Sequence, residues 1–148
     1  MPHLVILYTP NLDRQPEQGG VDMSALCRGL ANTMLDQRDE ANAAVFPPGG
    51  VRVLAYPAAH YAIADGGAAG EAAGRGGDYA FVYLNLRMGR GRSAAVHERI
   101  GRALEATAKT HLSSVLDERL IGITLQIDEG HEVVDAKNSS IHPLITKG

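Results

Sequence analysis

Twice along this chain the apolar residues change from a strand-like spacing to a helical one and back again, and that repetition limits the fold to few choices. Leu4 to Tyr8 read as a short buried strand. From Val21 the period shifts, and Met23, Cys27, Leu30 and Met34 fall on one face of a helix that Asp22 can cap. Beyond the turn FPPGG, Val51 to Tyr56 form a second strand. The second round is clearer. From Tyr79 to Met88 the chain alternates, with Ala80, Val82, Leu84, Leu86 and Met88 on one face and Tyr79, Phe81, Tyr83, Asn85 and Arg87 on the other. Ser93 caps a helix carrying Ile100, Leu104, Ala108, Leu112 and Leu116, and the last strand runs from Leu120 to Asp128.

A crossover helix between two strands of one sheet makes those strands parallel. The expected fold is therefore α+β: two β-α-β repeats, about 2–63 and 79–129, in one domain spanning 1–148. They build a four-stranded sheet with two helices on one face. Between them lies ADGGAAGEAAGRGGD, residues 64–78, too poor in large apolar side chains to offset its ordering entropy, and hence expected to be a mobile loop. The tail, 130–148, is irregular, packing on its own domain or on a neighbour. A sheet with helices on one side must cover the other. Tyr79, Phe81 and Tyr83 are too apolar for a solvated face, so self-association through it is expected, burying Asn85, Arg87 and Gln126 in a partly polar core.

Charge narrows the function classes. A formal net charge of -3 disfavours a general nucleic-acid or acidic-membrane binder, and no apolar run reaches the length of a membrane span. A single cysteine, Cys27, cannot form an internal disulfide, and no signal peptide opens the chain; a reduced, cytoplasmic protein is the expectation. Cys27 sits in the helical stripe and reads as core. The six histidines show no metal-ligand spacing, His97-Glu98 lacks the second histidine of HExxH, and there is no GxSxG elbow or P-loop. Neither a metal nor an organic cofactor is called for.

Three residues remain. Pro2 follows the initiator methionine at the mouth of a strand. Either it is a proline tolerated at a strand's first position, or methionine removal makes it a secondary amine at the edge of the core. Arg52 lies mid-strand in VRV, pointing opposite to Val51 and Val53: a salt-bridge arginine or an anion ligand. Arg92, in MGRGRSAA, stands just before a helix N-terminus: a solvated basic turn or part of an anion cradle. Converging on one cleft, the three would suit proton transfer on a carboxylate-bearing keto–enol compound. An apolar pocket and guanidinium charges would both lower the amine's pKa, and arginine forks bind carboxylates and enolate-like charge.

MPHLVI, FPPGGVRV, DYAFVYLNLRMGRGRS, THLSSVLDERLIGITLQIDE and NSSIHPLI together resemble the 5-carboxymethyl-2-hydroxymuconate Δ-isomerase family of the tautomerase superfamily. The resemblance implies a homotrimer with sites at subunit interfaces. It also implies an N-terminal proline, matched by Pro2, as proton shuttle, and two carboxylate-binding, charge-stabilising arginines, matched by Arg52 and Arg92. The reaction it implies converts a 2-hydroxy dienol to its 2-oxo isomer during homoprotocatechuate breakdown. The chain departs from the family's pattern at Leu7, often acidic, at Leu54, often arginine, and in a longer segment between the repeats. Two other readings stand beside it: hydration or dehalogenation of another small unsaturated acid, or anion binding without catalysis. The first needs a carboxylate to activate water, and Leu7 removes one candidate.

Overall fold

The structure, a computed structural model, describes residues 2–145. Strands β1 (His3–Tyr8), β2 (Arg52–Pro57), β3 (Ala80–Met88) and β4 (Ile121–Glu129) form one sheet in the order β2-β1-β3-β4. β1 pairs with β2 in parallel, as does β3 with β4, so each repeat is the β-α-β unit that its periodicity predicts. The repeats join through β1 and β3, which run antiparallel with His3 opposite Arg87 and Tyr8 opposite Val82. That pairing sets the end of β3 beside the start of β1.

Helices α1 (Met23–Leu35) and α3 (Ala94–Glu118) cover one face. Each begins at the residue that the sequence marks: Asp22 accepts from the Ala25 amide and Ser93 from the Val96 amide, satisfying an otherwise orphaned N–H. The core lies between helices and sheet. Leu4, Ile6, Val82, Leu84 and Leu86 meet Leu26, Leu30 and Met34 from α1 and Ile100, Leu104 and Leu112 from α3. The stripe of α1 is rotated slightly from its expected line: Leu26 is fully buried, whereas Met23 and Cys27 are only half-buried at its margin. On α3, Leu116 is largely exposed and Val115 takes the buried place.

Segment 64–78, expected to be a mobile loop, contains a short helix, α2 (Ala68–Ala72). Asp65 organises it, its carboxylate accepting from the Gly67 and Ala69 amides. These bonds hold the Asp65 carboxyl below its ordinary pKa. The tail forms one helical turn, α4 (His142–Ile145), packed on the turn Pro48–Gly50; the expectations for Met1 and for 146–148 lie outside the described residues. Among the described residues no helix is long and apolar enough to cross a membrane.

The opposite sheet face carries Val5, Leu7, Leu54, Tyr56, Phe81 and Tyr83, with Leu7 and Leu54 each 44% exposed and Tyr56 49%. Two side-chain bonds cross it: the Tyr83 hydroxyl donates to Gln126 at 2.8 Å and the Asn85 amide to Asp128 at 2.8 Å.

Candidate active site

A cavity of about 620 Å³ opens where the start of β1 meets the end of β3. Pro2, which is buried, and Arg92 both line it, so two of the three residues singled out in the sequence share one wall. The antiparallel β1–β3 pairing is the cause: it lays the turn after β3 against the first residues of β1. Phe46, Pro47 and Met88 supply an apolar floor, Phe46 and Met88 being almost wholly inaccessible.

Arg92 is anchored. Its Nη2 donates to the Val45 carbonyl at 2.6 Å and its Nη1 to the Gly89 carbonyl at 3.2 Å. Two backbone acceptors thus fix the guanidinium, leaving further N–H groups of its five for a ligand. The turn that carries it needs Gly91, whose φ of 108° lies in the left-handed region where a side chain would be strained. Ser93 also donates to the Glu40 carboxylate, tying the turn to the segment after α1.

Arg52 behaves differently. Its backbone N–H donates to the Pro2 carbonyl at 3.3 Å, so its Cα is a neighbour of the proline. Its guanidinium, however, donates to the carbonyls of Gly49 at 2.9 Å and Val51 at 2.8 Å, and lines a separate groove between β2 and α1. Within one chain the three residues do not converge; Pro2 and Arg92 do.

The structure adds residues that sequence reasoning left out. Arg87, placed earlier only on the uncovered face, reaches the cavity from the last turn of β3's alternation. From the tail come Glu132, Asp135, Lys137, Ser139 and His142. Lys137 is in contact with the Asp135 carboxylate, which this holds below its ordinary pKa. Partial burial, and the charge of Arg52, lower the pKa of His3 at the rim. Cys27 lies outside the cavity, and burial pushes its thiol pKa up, the opposite of an activated nucleophile. Among the described residues no group of three or more His, Cys, Asp and Glu side chains is placed to hold a metal ion.

Such a cavity can bind a small polyanion over an apolar floor, with arginine forks at two points and a buried proline at the wall. Comparisons with known proteins agree on one family. The family described as 5-carboxymethyl-2-hydroxymuconate isomerase matches residues 2–145. The 5-carboxymethyl-2-hydroxymuconate Delta-isomerase of Escherichia coli is 26% identical over 144 residues, covering 97% of this chain and 98% of its own. A crystal structure of a 5-carboxymethyl-2-hydroxymuconate delta-isomerase superposes with a TM-score of 0.93 at 58% identity, covering 100% of this chain and 95% of the other. Another, a 5-carboxymethyl-2-hydroxymuconate isomerase from Deinococcus radiodurans R1, gives 0.76 at 31% identity, covering 97% of this chain and 93% of its own.

Proposed function

The chain belongs to the 5-carboxymethyl-2-hydroxymuconate isomerase family, and from that premise we propose that it is a cofactor-independent isomerase of 5-carboxymethyl-2-hydroxymuconate, acting in homoprotocatechuate degradation. The observation that carries the reading is the buried Pro2 sharing a cavity with Arg92. Removal of Met1 turns the Pro2 nitrogen from an amide into a secondary amine. Burial and guanidinium charge both disfavour its protonated form, which keeps a free base available near neutral pH. The amine takes the proton of the 2-hydroxyl group, and the oxygen's electrons form the 2-oxo double bond. The conjugated double bonds shift along the chain, and a distant carbon receives the proton back from the prolinium. Nothing is consumed. Arg92 holds a substrate carboxylate beside the reacting oxygen and offsets the charge that develops there.

Arg52 enters from another copy. Its guanidinium turns away from the cavity of its own chain, while the apolar face of Val5, Leu7, Leu54, Tyr56 and Phe81 calls for a cover. A homotrimer packed through that face answers both, placing one subunit's Arg52 beside its neighbour's Pro2.

The test is ketonisation of 5-carboxymethyl-2-hydroxymuconate, followed by ultraviolet absorbance, with methionine-free wild type beside Pro2→Ala. A positioned acid–base group is worth about 10²–10⁴-fold, and the variant should lose roughly that much in kcat with its assembly intact. Equal and negligible rates would refute the isomerase reading and favour anion binding without catalysis.

A further inference from the structure

We propose that Arg87 is a carboxylate-binding residue of the Pro2 cavity, and that it selects a substrate bearing a third carboxylate. The inference rests on the isomerase reading and goes beyond it in assigning a residue to a part of the substrate.

Among the described residues three cations line the cavity, and two of them already have partners within the protein. Arg92 is tied to the carbonyls of Val45 and Gly89. Lys137 is neutralised by Asp135. Arg87 is the third, and its obvious partner has been taken. Asp128 lies directly across from it on β4, but that carboxylate accepts from Asn85 at 2.8 Å instead. Among the described residues, the Arg87 side chain makes no hydrogen bond or ion pair, although it stands beside two strands that offer acceptors. A long charged side chain left unpaired at a cavity wall keeps all five of its donors for a ligand.

Position supports the same conclusion. The register sets Arg87 opposite His3, the residue next to Pro2, so its guanidinium works at the proline's end of the cavity. The substrate has three carboxylates, and Arg52 and Arg92 account for two. Glu132 also lines the cavity, and its negative charge disfavours an anion that lacks a dedicated counter-charge, which sharpens the dependence on Arg87.

The experiment compares KM for two substrates in wild type, Arg87→Ala and Arg87→Lys. One is 5-carboxymethyl-2-hydroxymuconate, a tricarboxylate; the other is 2-hydroxymuconate, the dicarboxylate without the carboxymethyl arm. Arg87→Ala should raise the ratio of the tricarboxylate KM to the dicarboxylate KM by about 10- to 100-fold. Lysine, which keeps the charge but not the fork, should restore part of it. A ratio unchanged in the alanine variant, with wild type active, overturns the assignment. Should alanine alter the assembly in sedimentation, Arg87→Gln, which keeps the stem and drops the charge, carries the same comparison. If wild type turns over neither substrate, the isomerase reading fails separately. Calorimetry with propane-1,2,3-tricarboxylate and glutarate then decides on Arg87. A tricarboxylate preference lost in Arg87→Ala supports its role, and no such preference in wild type overturns it.

Discussion

Gly49→Ala should detach the C-terminal turn from the domain without unfolding it. Gly49 is buried in the turn Pro48–Gly50, beneath α4. A methyl group there would lie 2.7 Å from the His142 Nδ1 and 2.8 Å from the His142 Cα, closer than such contacts are tolerated. Something must move, and there are two candidates. The turn itself is held from three sides: the Gly50 amide donates to the Pro47 carbonyl at 2.8 Å, Arg52 donates to the Gly49 carbonyl at 2.9 Å, and the adjoining Phe46 is 1% exposed in the core. By contrast, α4 has four residues, with Leu144 76% exposed, and the bonds that the Ile141 and His142 amides donate to the Ser139 Oγ, 3.1 Å each, lie within the tail and do not tie it to the domain. Lifting α4 therefore costs less than shifting the turn. Overpacking of this kind costs about 1–3 kcal/mol, which, spent on the docked tail alone, raises its opening about 5- to 150-fold. Hydrogen exchange reads this directly: the Ile141 and His142 amides should speed up by that factor, while amides of β1 and α3 stay unchanged. KM should rise as Lys137, Ser139 and His142 leave the cavity wall. Unchanged tail exchange together with faster exchange across β2 would show that the turn had moved, and would refute the ranking of the two costs.

Two further outcomes test the fold and the assembly. Asp78 accepts from Asn11 at 3.0 Å and pairs with Arg119 at 3.0 Å and Arg14 at 3.2 Å, and these contacts, the Asn11 bond foremost, hold its carboxyl below the ordinary range. A depressed folded pKa contributes stability above the unfolded value of about 3.9 that is lost as pH falls through the folded value. Asp78→Asn should therefore show a lower urea midpoint than wild type at pH 7, the gap closing as pH falls below the unfolded value; a gap independent of pH would remove Asp78's charge from the account. Leu54→Asp places a charge on the uncovered sheet face, and sedimentation should show the proposed trimer dissociating to folded subunits at micromolar concentration. Persistence of the trimer would mean that its contacts lie elsewhere.

Strands and long helices were legible because burial imposes a period on them. Val82, Leu84 and Leu86 must alternate to reach the core, and Asp22 and Ser93 must stop the helices where backbone N–H groups need acceptors. What the periodicity could not reveal is where a long side chain goes after its Cα. Arg52 was placed on the uncovered face from alternation alone, yet its guanidinium bends back to the carbonyls of Gly49 and Val51. Helix α2 escaped because its stretch of glycine and alanine has no apolar stripe; the available signal was Asp65, a capping residue just ahead of it. Arg87 and the tail residues were missed for a third reason. Only the antiparallel β1–β3 pairing brings β3's last residues to Pro2, and nothing local in either repeat encodes that pairing.

The same pairing explains why a duplicated chain has one candidate active site per subunit. The second repeat opens on interior amides, with no free amine to answer Pro2, and β4 carries no arginine to answer Arg52 on β2. Arg92, one residue before its N-cap, corresponds to Val21. Each of the three positions thus carries its polar or reactive residue in one repeat only. The segments that follow the repeats sharpen the difference. After β2, α2 settles over the start of β3, where the Gly70 amide donates to the Tyr79 hydroxyl and Ile63, Ala69 and Leu120 line a small, mostly apolar recess. After β4, the tail reaches the start of β1 with Glu132, Lys137 and His142, and there it walls a larger cavity instead of filling it. On the proposed mechanism Pro2 needs space and counter-charge around it to act on an anion, and the start of β3, whose backbone nitrogens are interior amides, could use neither. On that proposal an insertion at 64–78 is tolerated at the second repeat's start, where no free amine can form, whereas a comparable plug at Pro2 would fill the cavity that the mechanism needs.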